Sequence, residues 1–554
     1  MTPEELSVTI AGALGALVRR GAVAYDGELP DRVTVERPKN KEHGDYATNV
    51  ALQLGKRMGV APRELAELLA TELKAFDGIA GVQVAGPGFI NISVEAAAQG
   101  EVARVIAAAG PSYGDGDALA GTRINLEFVS ANPTGPVTLA SARWAAMGDS
   151  LARILEAEAA TVAREYYFND SGAQIDRFSA SLFAAAKGEP TPEGGYAGAY
   201  IAELAAQVVE AHPEVITLGD GEAKELFRAT GVEMMFADVK ATLHEFGVDF
   251  DVYFSERSLH ESGAIDAAIE RLKAGGLTYE ADGALWLRST DYGDDKDRVI
   301  VRSNGVPTYY CADAAYYLDK RGRGFDKVMI VLGADHHGYV GRYRALAGGF
   351  GDDPDVTLEI VIGQMVNLLR DGEPVRMSKR SGDVLTLEDL VDAVGVDAAR
   401  YALVRYSNDS TIDIDLDLWA RQSSDNPVYY VQYAHARLAS IERNAEQLGF
   451  SLDTLAFDPG LLSHEREGDL LRALADFPSV VATSAELREP HRVARYLEAT
   501  AATFHRFYDD CRVLPLGDEE VTDVHRARLV LVTATRTVLA HGLELLGVSA
   551  PERM

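Results

Sequence analysis

The chain contains 554 residues, of which 47% are hydrophobic and 25% are charged, and its formal net charge at pH 7 is −32. This length predicts roughly three or four domains, and the composition is typical of a soluble globular protein. No run of about 18 apolar residues occurs, so we expect no membrane-spanning helix. Residues 1–18 lack the basic start of a signal peptide and predict an amphipathic helix.

The two cysteines, Cys311 and Cys511, exclude a disulfide framework and a four-thiolate zinc site. They fit a reducing cytoplasm. The net negative charge argues against nucleic-acid binding by the surface as a whole, because a phosphate backbone is bound by Lys and Arg. A binding face needs only a local basic patch, however, so the net charge does not exclude one. Solubility and a salty cytoplasm are further explanations of the acidity.

Residues 1–112 predict a small α/β domain. Val33–Arg37 has the pattern of a strand, and two segments with helical spacing follow, Ala47–Leu54 and Ala61–Phe76. Val82–Val94 alternates around Gly86-Pro-Gly, which predicts two strands joined by a tight turn.

Residues 113–395 predict a parallel sheet of the dinucleotide-binding type. Ile124–Val129 is a mostly apolar strand, and a loop rich in Asn, Pro and Gly joins it to a helix over Ser141–Ala157. Such a unit places its ligand at the loop and the helix N-terminus. Residues 180–290 are mostly helical and acidic and predict an insertion. The other candidate strands are Thr161–Tyr167, Lys327–Leu332 and Thr357–Leu368.

Residues 396–554 predict an all-α bundle, because helical periodicity continues almost without interruption. The expected helices are Asp397–Arg405, Tyr429–Leu448, His464–Ala485, Pro490–Arg512 and Asp523–Leu546.

Two motifs carry the chemistry. The first runs from Glu127 through Ser130-Ala-Asn-Pro-Thr-Gly-Pro136 to Thr138-Leu-Ala-Ser141, at a strand end and a helix start. Such a corner suits ATP phosphates, although Thr138–Ser141 taken alone is better explained as a helix N-cap, a role that Ser141 would serve. The second motif is Arg376-Met-Ser-Lys-Arg380. A basic loop of this kind can neutralise charge on a triphosphate, although a solvated basic loop is the simpler alternative.

Together the two motifs resemble the ATP signatures of class I aminoacyl-tRNA synthetases, and the first resembles the arginine-specific version. The family's His-Ile-Gly-His box is altered here: Thr138 and Ser141 stand at the histidine positions, and Ala140 replaces the glycine. Arg376 replaces the first lysine of the second signature and Lys379 retains the second. The resemblance extends over the whole chain, through blocks that begin at Tyr167, Tyr309 and Gly333.

The resemblance implies a role for each matching residue. The ATP site would include Pro136, Thr138, Ala140, Ser141, Met377 and Lys379, and the residues expected to act in catalysis are Thr138, Ser141, Arg376, Met377, Ser378 and Lys379. The arginine pocket would comprise Glu127, Asn132, Tyr309, Asp313, Asp335 and His337. A guanidinium is permanently charged and planar, so its pocket needs fixed carboxylates. His336-His337 also suggests a metal site, but no third ligand has convincing spacing, and we predict no structural metal.

Two further blocks resemble the family's tRNA-binding modules. Phe89 and Asn91 stand where the N-terminal module contacts the tRNA elbow, although a core Phe in a hairpin is an alternative. Tyr433, Arg437 and the terminal Met554 match the anticodon-binding bundle. The bundle also carries arginines that could form a basic face or merely a solvated surface. These are Arg488, Arg492, Arg495, Arg506 and Arg512.

The resemblance therefore implies an arginine–tRNA ligase with a Rossmann-type catalytic sheet. It would be a cytoplasmic monomer that uses ATP with its Mg²⁺, L-arginine and tRNA(Arg), without a membrane partner. It further implies that arginine is activated only when tRNA is bound. The altered box leaves one alternative open, a diverged copy whose adenylation is changed or lost. Such a copy would act as a tRNA-binding or regulatory protein, an inhibitor-resistant enzyme or an ATP-dependent arginine amide ligase.

Overall fold

The computed structural model describes residues 1–38, 40–336, 338–375, 385–449 and 457–554. Its N-terminal part is a small antiparallel sheet, with strand order β1-β3-β2, packed against helices. These elements are α1 (Pro3–Arg19), β1 (Tyr46–Thr48), α2 (Val50–Leu54), α3 (Pro62–Leu73), β2 (Ile79–Ala85), β3 (Phe89–Val94) and α4 (Ala96–Ala109). The predicted strand pair around Gly86 is confirmed as β2 and β3.

Two N-terminal predictions are wrong. Val33–Arg37 forms no strand beyond a single bridge between Glu36 and Ala47. The predicted helix at Ala47–Leu54 is divided, because residues 46–48 pair with β3 and the helix begins only at Val50. Three residues of strand pairing thus override the local helical spacing.

The central part is a five-stranded sheet with strand order β11-β10-β4-β5-β6, and all its pairs are parallel, as predicted. Its strands are β4 (Arg123–Glu127), β5 (Thr161–Phe168), β6 (Val252–Ser255), β10 (Lys327–Gly333) and β11 (Leu358–Gly363). The helices of this part are α5 (Leu139–Ala157), α6 (Ala173–Ala186), α7 (Ala199–Ala211), α8 (Asp220–Glu245), α9 (Arg257–Glu261), α10 (Ala264–Ala274), α11 (Tyr309–Gly322), α12 (Tyr339–Gly349) and α13 (Pro354–Thr357).

Helix α5 packs closely against β4. A Cβ atom at Gly148 would lie 2.3 Å from the Phe128 ring, so this crossing needs a glycine. The close packing sets the helix N-terminus beside the end of β4, where the first motif lies.

Two smaller sheets flank the central one. The first joins β7 (Thr278–Ala281), β8 (Ala284–Leu287) and β9 (Arg298–Val301). The second joins β12 (Val366–Arg370), β13 (Glu373–Pro374) and β14 (Ile412–Asp415). The predicted single strand Thr357–Leu368 is therefore wrong: it is two strands, β11 and β12, that belong to different sheets.

The C-terminal part is helical apart from β14, which pairs in parallel with β12. Its helices are α14 (Leu387–Val394), α15 (Val396–Val404), α16 (Leu416–Trp419), α17 (Pro427–Gln447), α18 (Glu465–Ala475), α19 (Phe477–Leu487), α20 (His491–Asp510) and α21 (Asp523–Leu545). The predicted helix His464–Ala485 is two helices that meet at Asp476, because Pro478 near the start of α19 lacks the N–H that a continuous helix requires. None of the described helices is long and apolar enough to cross a membrane.

One buried arginine joins the sheet to the bundle. Arg400 of α15 donates a hydrogen bond of 2.6 Å to the Asp149 carboxylate of α5. It also donates to the carbonyls of Phe246 and Leu546, which follow α8 and α21. Burial acts to raise the pKa of Asp149, but Arg400 and Arg153 lower it below its usual range. Arg400 therefore connects three separate parts of the chain.

We expect Arg400→Met to lower the free energy of unfolding by about 3 kcal/mol or more, because it leaves a buried carboxylate and several carbonyls without this donor. The matched control is Arg421→Met, whose ion pair with Asp425 is exposed and should matter by less than about 1 kcal/mol. Urea unfolding of both variants measures the difference. Equal, small effects would show that Arg400 does not hold the parts together.

Candidate active site

The first motif forms a corner between β4 and α5. After β4 the chain turns through Val129 and Ser130, both with positive φ (69° and 42°). Helix α5 then begins at Leu139, two residues earlier than predicted. Thr138 is its N-cap residue, with Oγ1 accepting from the Ser141 amide at 3.2 Å, so the cap is Thr138 rather than Ser141. The start of a helix suits an anion, because the positive end of the helix dipole lies there.

The corner also contacts the chain that follows the second motif. The Leu139 amide donates to the Leu385 carbonyl at 2.9 Å, and the Leu387 amide donates to the Val137 carbonyl at 2.8 Å. The second motif itself, with Arg376, Met377, Ser378 and Lys379, lies outside the described residues. Two stretches about 250 residues apart are thus joined by backbone hydrogen bonds at the altered box.

A buried arginine fixes α5 to the strand that leads toward the second motif. Arg143 donates to the carbonyls of Gln364 and Met365, between β11 and β12, at 2.6 and 3.3 Å. It also donates to the carbonyls of Ser410 and Ser407 at 2.9 and 3.0 Å. Burial lowers the pKa of Arg143 to about 10. These four bonds explain why the chain leaves the central sheet after β11.

A cavity of about 550 Å³ opens beside the corner. Asn132, Pro136, Thr138 and Ser141 line it, so the structure brings four of the predicted ligand-binding residues together. Tyr196, and Tyr200 of α7, also line it. The predicted Ala140 lies within the first turn of α5, partly buried.

Asn132 is held on both sides of its amide. It donates to Gln174 at 2.6 Å and accepts from the Asn169 backbone at 3.0 Å. This fixes the orientation of its side chain at the mouth of the cavity.

A second, acidic pocket lies at the carboxyl edge of the sheet. Tyr309 and Asp313 are one turn apart on α11, and Tyr309 is 73% exposed. Asp313 faces Glu256, a buried residue directly after β6. Burial, with Glu256 and then Glu127 nearby, raises the pKa of Asp313 to about 7. Two carboxylates this close destabilise each other's charge unless a cation lies between them.

Glu256 is the residue that the sequence prediction missed. Tyr167 donates to its Oε2 at 2.6 Å, and His260 Nε2 lies 3.8 Å from its Oε1. The available signal was its place immediately after a strand of the parallel sheet, since strand ends at this edge hold ligands. Because β6 has only four residues inside a mostly helical stretch, this strand end was not recognised.

Glu127, by contrast, has both oxygens engaged. Lys320 Nζ lies 2.6 Å from Oε2, and the Ser130 hydroxyl donates to Oε1 at 3.0 Å. Its direct contact with a guanidinium therefore stays a prediction, and Glu256 is the more available carboxylate. Asp335 lies in the single turn after β10 at the same edge, whereas His337 lies outside the described residues. Among the described residues, no group of three or more His, Cys, Asp or Glu could hold a metal ion.

The predicted tRNA-binding residues occupy two faces. Phe89 begins β3 and is 43% exposed, whereas Asn91, two residues on, is only 7% exposed. Tyr433, Arg437 and Met554 line one groove of the helical part, with a volume of about 980 Å³. Arg437 donates to the Tyr433 hydroxyl at 2.6 Å, so a cation and an aromatic ring form a single surface there.

The predicted basic face of the bundle is only partly available. Arg512 lines the same groove and is paired with Glu519 at 3.0 Å. Arg488 is paired with Glu359 of β11 at 2.9 Å, and Arg492 is paired with Glu489. These three arginines have carboxylate partners within the chain, which weakens their case as RNA ligands.

Comparison with known proteins agrees with this geometry. Three family models match in succession: arginyl-tRNA synthetase N-terminal domain over residues 4–94, class I (R) tRNA synthetase catalytic domain over 201–417, and DALR anticodon-binding domain over 431–554. The arginine–tRNA ligase of Kineococcus radiotolerans is 60% identical over the full length of both chains. The chain belongs to the arginyl-tRNA synthetases. The predicted family is thus confirmed.

Solved structures of arginyl-tRNA synthetases have the same fold. A Campylobacter jejuni protein assigned to this family is 32% identical, with a TM-score of 0.76 over 83% of this chain and all of that one. The Thermus thermophilus enzyme, 23% identical, has a TM-score of 0.77 over the whole of both chains. The predicted fold class and aminoacyl-tRNA ligase class are confirmed, and no comparison favours the diverged copy. The substrates of the family are an amino acid, ATP and tRNA.

We expect Glu256→Gln to weaken arginine binding at least about thirtyfold, because it removes the more buried of the two negative charges that would face the substrate cation; truncating one partner of such a pair costs about 2–5 kcal/mol. Glu261→Gln makes the same change at an exposed position five residues on and should bind arginine as the unmodified protein does. Isothermal calorimetry with L-arginine compares them. Unchanged affinity in Glu256→Gln would remove Glu256 from the pocket.

Proposed function

We propose that the chain ligates L-arginine to tRNA(Arg) at the sheet edge between the acidic pocket and the altered box. The arginine carboxylate attacks the α-phosphate of ATP, which gives arginyl-adenylate and releases pyrophosphate. The 2′ or 3′ hydroxyl of the terminal adenosine of tRNA then attacks the adenylate carbonyl and releases AMP. The observation that carries this proposal is the pair of neighbouring acids, the buried Glu256 and the partly buried Asp313, whose charges a cationic ligand would compensate.

The guanidinium of arginine is proposed to lie between Asp313 and Glu256. Two carboxylates suit its planar fork of donors better than a point charge. Tyr309, exposed beside Asp313, can cover the guanidinium face. Asn132 is proposed to hold the α-amino group, because its amide lines the cavity and is oriented by its hydrogen bonds with Gln174 and Asn169. The substrate carboxylate would then point toward the α5 N-terminus.

ATP is proposed to bind at this corner, with its phosphates at the N-terminus of α5 beside the hydroxyls of Thr138 and Ser141. Pro136 and Ala140, with Met377 of the second motif, would contact the adenosine. Arg376, Ser378 and Lys379 would surround the triphosphate, and Lys379 would stabilise the charge that develops as pyrophosphate leaves. Mg²⁺ would enter with ATP as part of the substrate.

The rest of the chain is proposed to bind tRNA as a monomer in the cytoplasm. We propose three domains: residues 1–112 for the tRNA elbow, 113–395 for catalysis with an insertion at about 180–290, and 396–554 for the anticodon. β6 is formed by residues of the insertion yet completes the catalytic sheet, which supports a close connection between the two. Phe89 and Asn91 would contact the elbow, and Tyr433, Arg437 and Met554 the anticodon.

We expect arginine- and tRNA-dependent pyrophosphate exchange from the full chain. Lys379→Ala should slow exchange by about a hundredfold or more, as loss of one preorganised charge does, with little change in arginine affinity. Lys273→Ala, at a remote exposed lysine, is the control and should keep the full rate. No exchange from the unmodified chain would contradict the proposed function. An unchanged rate with weaker arginine binding would place Lys379 in the arginine pocket instead.

We also expect the altered box to limit the rate. Thr138→His, Ala140→Gly and Ser141→His combined should raise the exchange rate about tenfold, which needs only ~1.4 kcal/mol of added transition-state stabilisation. Thr138→Ser keeps the helix cap and serves as the control without a rate gain. If the triple variant is no faster, the corner of this chain works by the Thr and Ser hydroxyls themselves, and the expectation is wrong.

A further inference from the structure

A network of buried charges lies directly under the acidic pocket. Lys320 of α11 is 1% exposed, and its Nζ lies 2.6 Å from Glu127 Oε2, 2.6 Å from Asn125 Oδ1 and 3.4 Å from Glu165 Oε1. Arg323 binds the two oxygens of Glu165 at 2.5 and 2.9 Å. Burial acts to raise the pKa of Glu165, but Lys320, Arg323 and the Tyr316 hydroxyl together lower it to about 2.

This network follows from the sheet register. Glu127 of β4 and Glu165 of β5 are direct register partners, so two buried acids stand side by side. Like charges at such a distance are costly in a buried site without a cation. Helix α11 crosses them and supplies Lys320. Asp313 precedes Lys320 by seven residues, two helical turns, so one face of α11 carries an acid toward the pocket and a base toward the sheet.

We propose that Lys320 is a positioning residue that sets the charge of the arginine pocket: it neutralises and holds Glu127, so that the substrate cation is received by Asp313 and Glu256. This inference rests on the proposed function, because it assumes that the pocket binds arginine. Glu127 would then support the pocket through its bonds to Lys320 and Ser130 and would not contact the guanidinium.

The charge state of Asp313 provides a readout. Groups on every neighbouring element face it: Glu127 of β4, Tyr167 of β5, Glu256 after β6, and Arg342 and Tyr343 of α12. The pKa of Asp313 is raised to about 7. Arginine, a permanent cation, binds the ionised form better, so affinity is fully present above about pH 7 and falls as the pH drops through that value. We call the pH at which the affinity begins to fall the break. An unpaired Glu127 would move this break to higher pH.

The test is a series of calorimetric titrations of the full chain with L-arginine from about pH 5.5 to 8.5. In Lys320→Met we expect the break in affinity to move up by at least about half a pH unit, because an uncompensated acid now faces Asp313. In Glu127→Gln, which keeps the shape and the Lys320 contact, it should move down by a similar amount. The double variant should fall between these two.

Arg323→Met is the matched control. It removes the other cation of the network, which binds Glu165 and not Glu127, and should leave the break where it is. If Lys320→Met does not fold, the downward shift in Glu127→Gln together with an unmoved break in Arg323→Met still tests the inference. Breaks that coincide in all variants while arginine still binds would overturn the role of Lys320 alone. Absence of arginine binding in the unmodified chain would overturn the proposed function.

Discussion

The proposed site depends on two acids at the edge of the parallel sheet, Asp313 and Glu256, because the charge of Glu256 raises the pKa of Asp313. Within the described parts of the chain, neither forms an ion pair with a lysine or arginine. Burying such charge is unfavourable unless a partner compensates it. Burial, Glu256 and Glu127 raise the pKa of Asp313 by more than the charge of Arg342 lowers it, so a cationic ligand would stabilise the pocket, and we propose that the pocket selects one. The proposed specificity for arginine follows from this electrostatic demand.

The neighbouring charges show the opposite arrangement. Glu127 and Glu165 are as deeply buried as Glu256, yet Lys320 and Arg323 compensate them. Helix α11 thus separates acids that support the fold from acids that face the substrate. At the other end of the site, Thr138 caps the start of α5. Backbone hydrogen bonds made by the Leu139 amide and the Val137 carbonyl hold the chain that follows the second motif at this corner.

Much of the central sheet could be predicted, because its parallel strands are apolar runs followed by a Gly/Pro loop and a helix. The division of the predicted strand Thr357–Leu368 could not, since it depends on the contacts of Arg143 with Gln364 and Met365, more than 200 residues away in sequence. Short strands were predicted least accurately. Val33–Arg37 has a strand pattern but too few partners, and β6 has partners but only four residues.

The site residues, too, could be predicted where they lie close together in the sequence. Residues within one motif, such as Asn132, Pro136, Thr138 and Ser141, were predicted together and lie together. Glu256 was missed because its importance comes from Asp313, which a separate helix brings opposite it. The engagement of Glu127 was equally hidden, since its partner Lys320 lies 193 residues further along the chain.

The central claim is that the acidic pocket recognises the positive charge of arginine. Calorimetric titration of the full chain above pH 7 with L-arginine and with L-citrulline, which has nearly the same shape without the charge, tests it most directly. The account predicts that citrulline binds at least about thirtyfold more weakly, since it leaves both acids of the pocket without a cation, a loss of about 2 kcal/mol or more. Equal affinities for arginine and citrulline would contradict it.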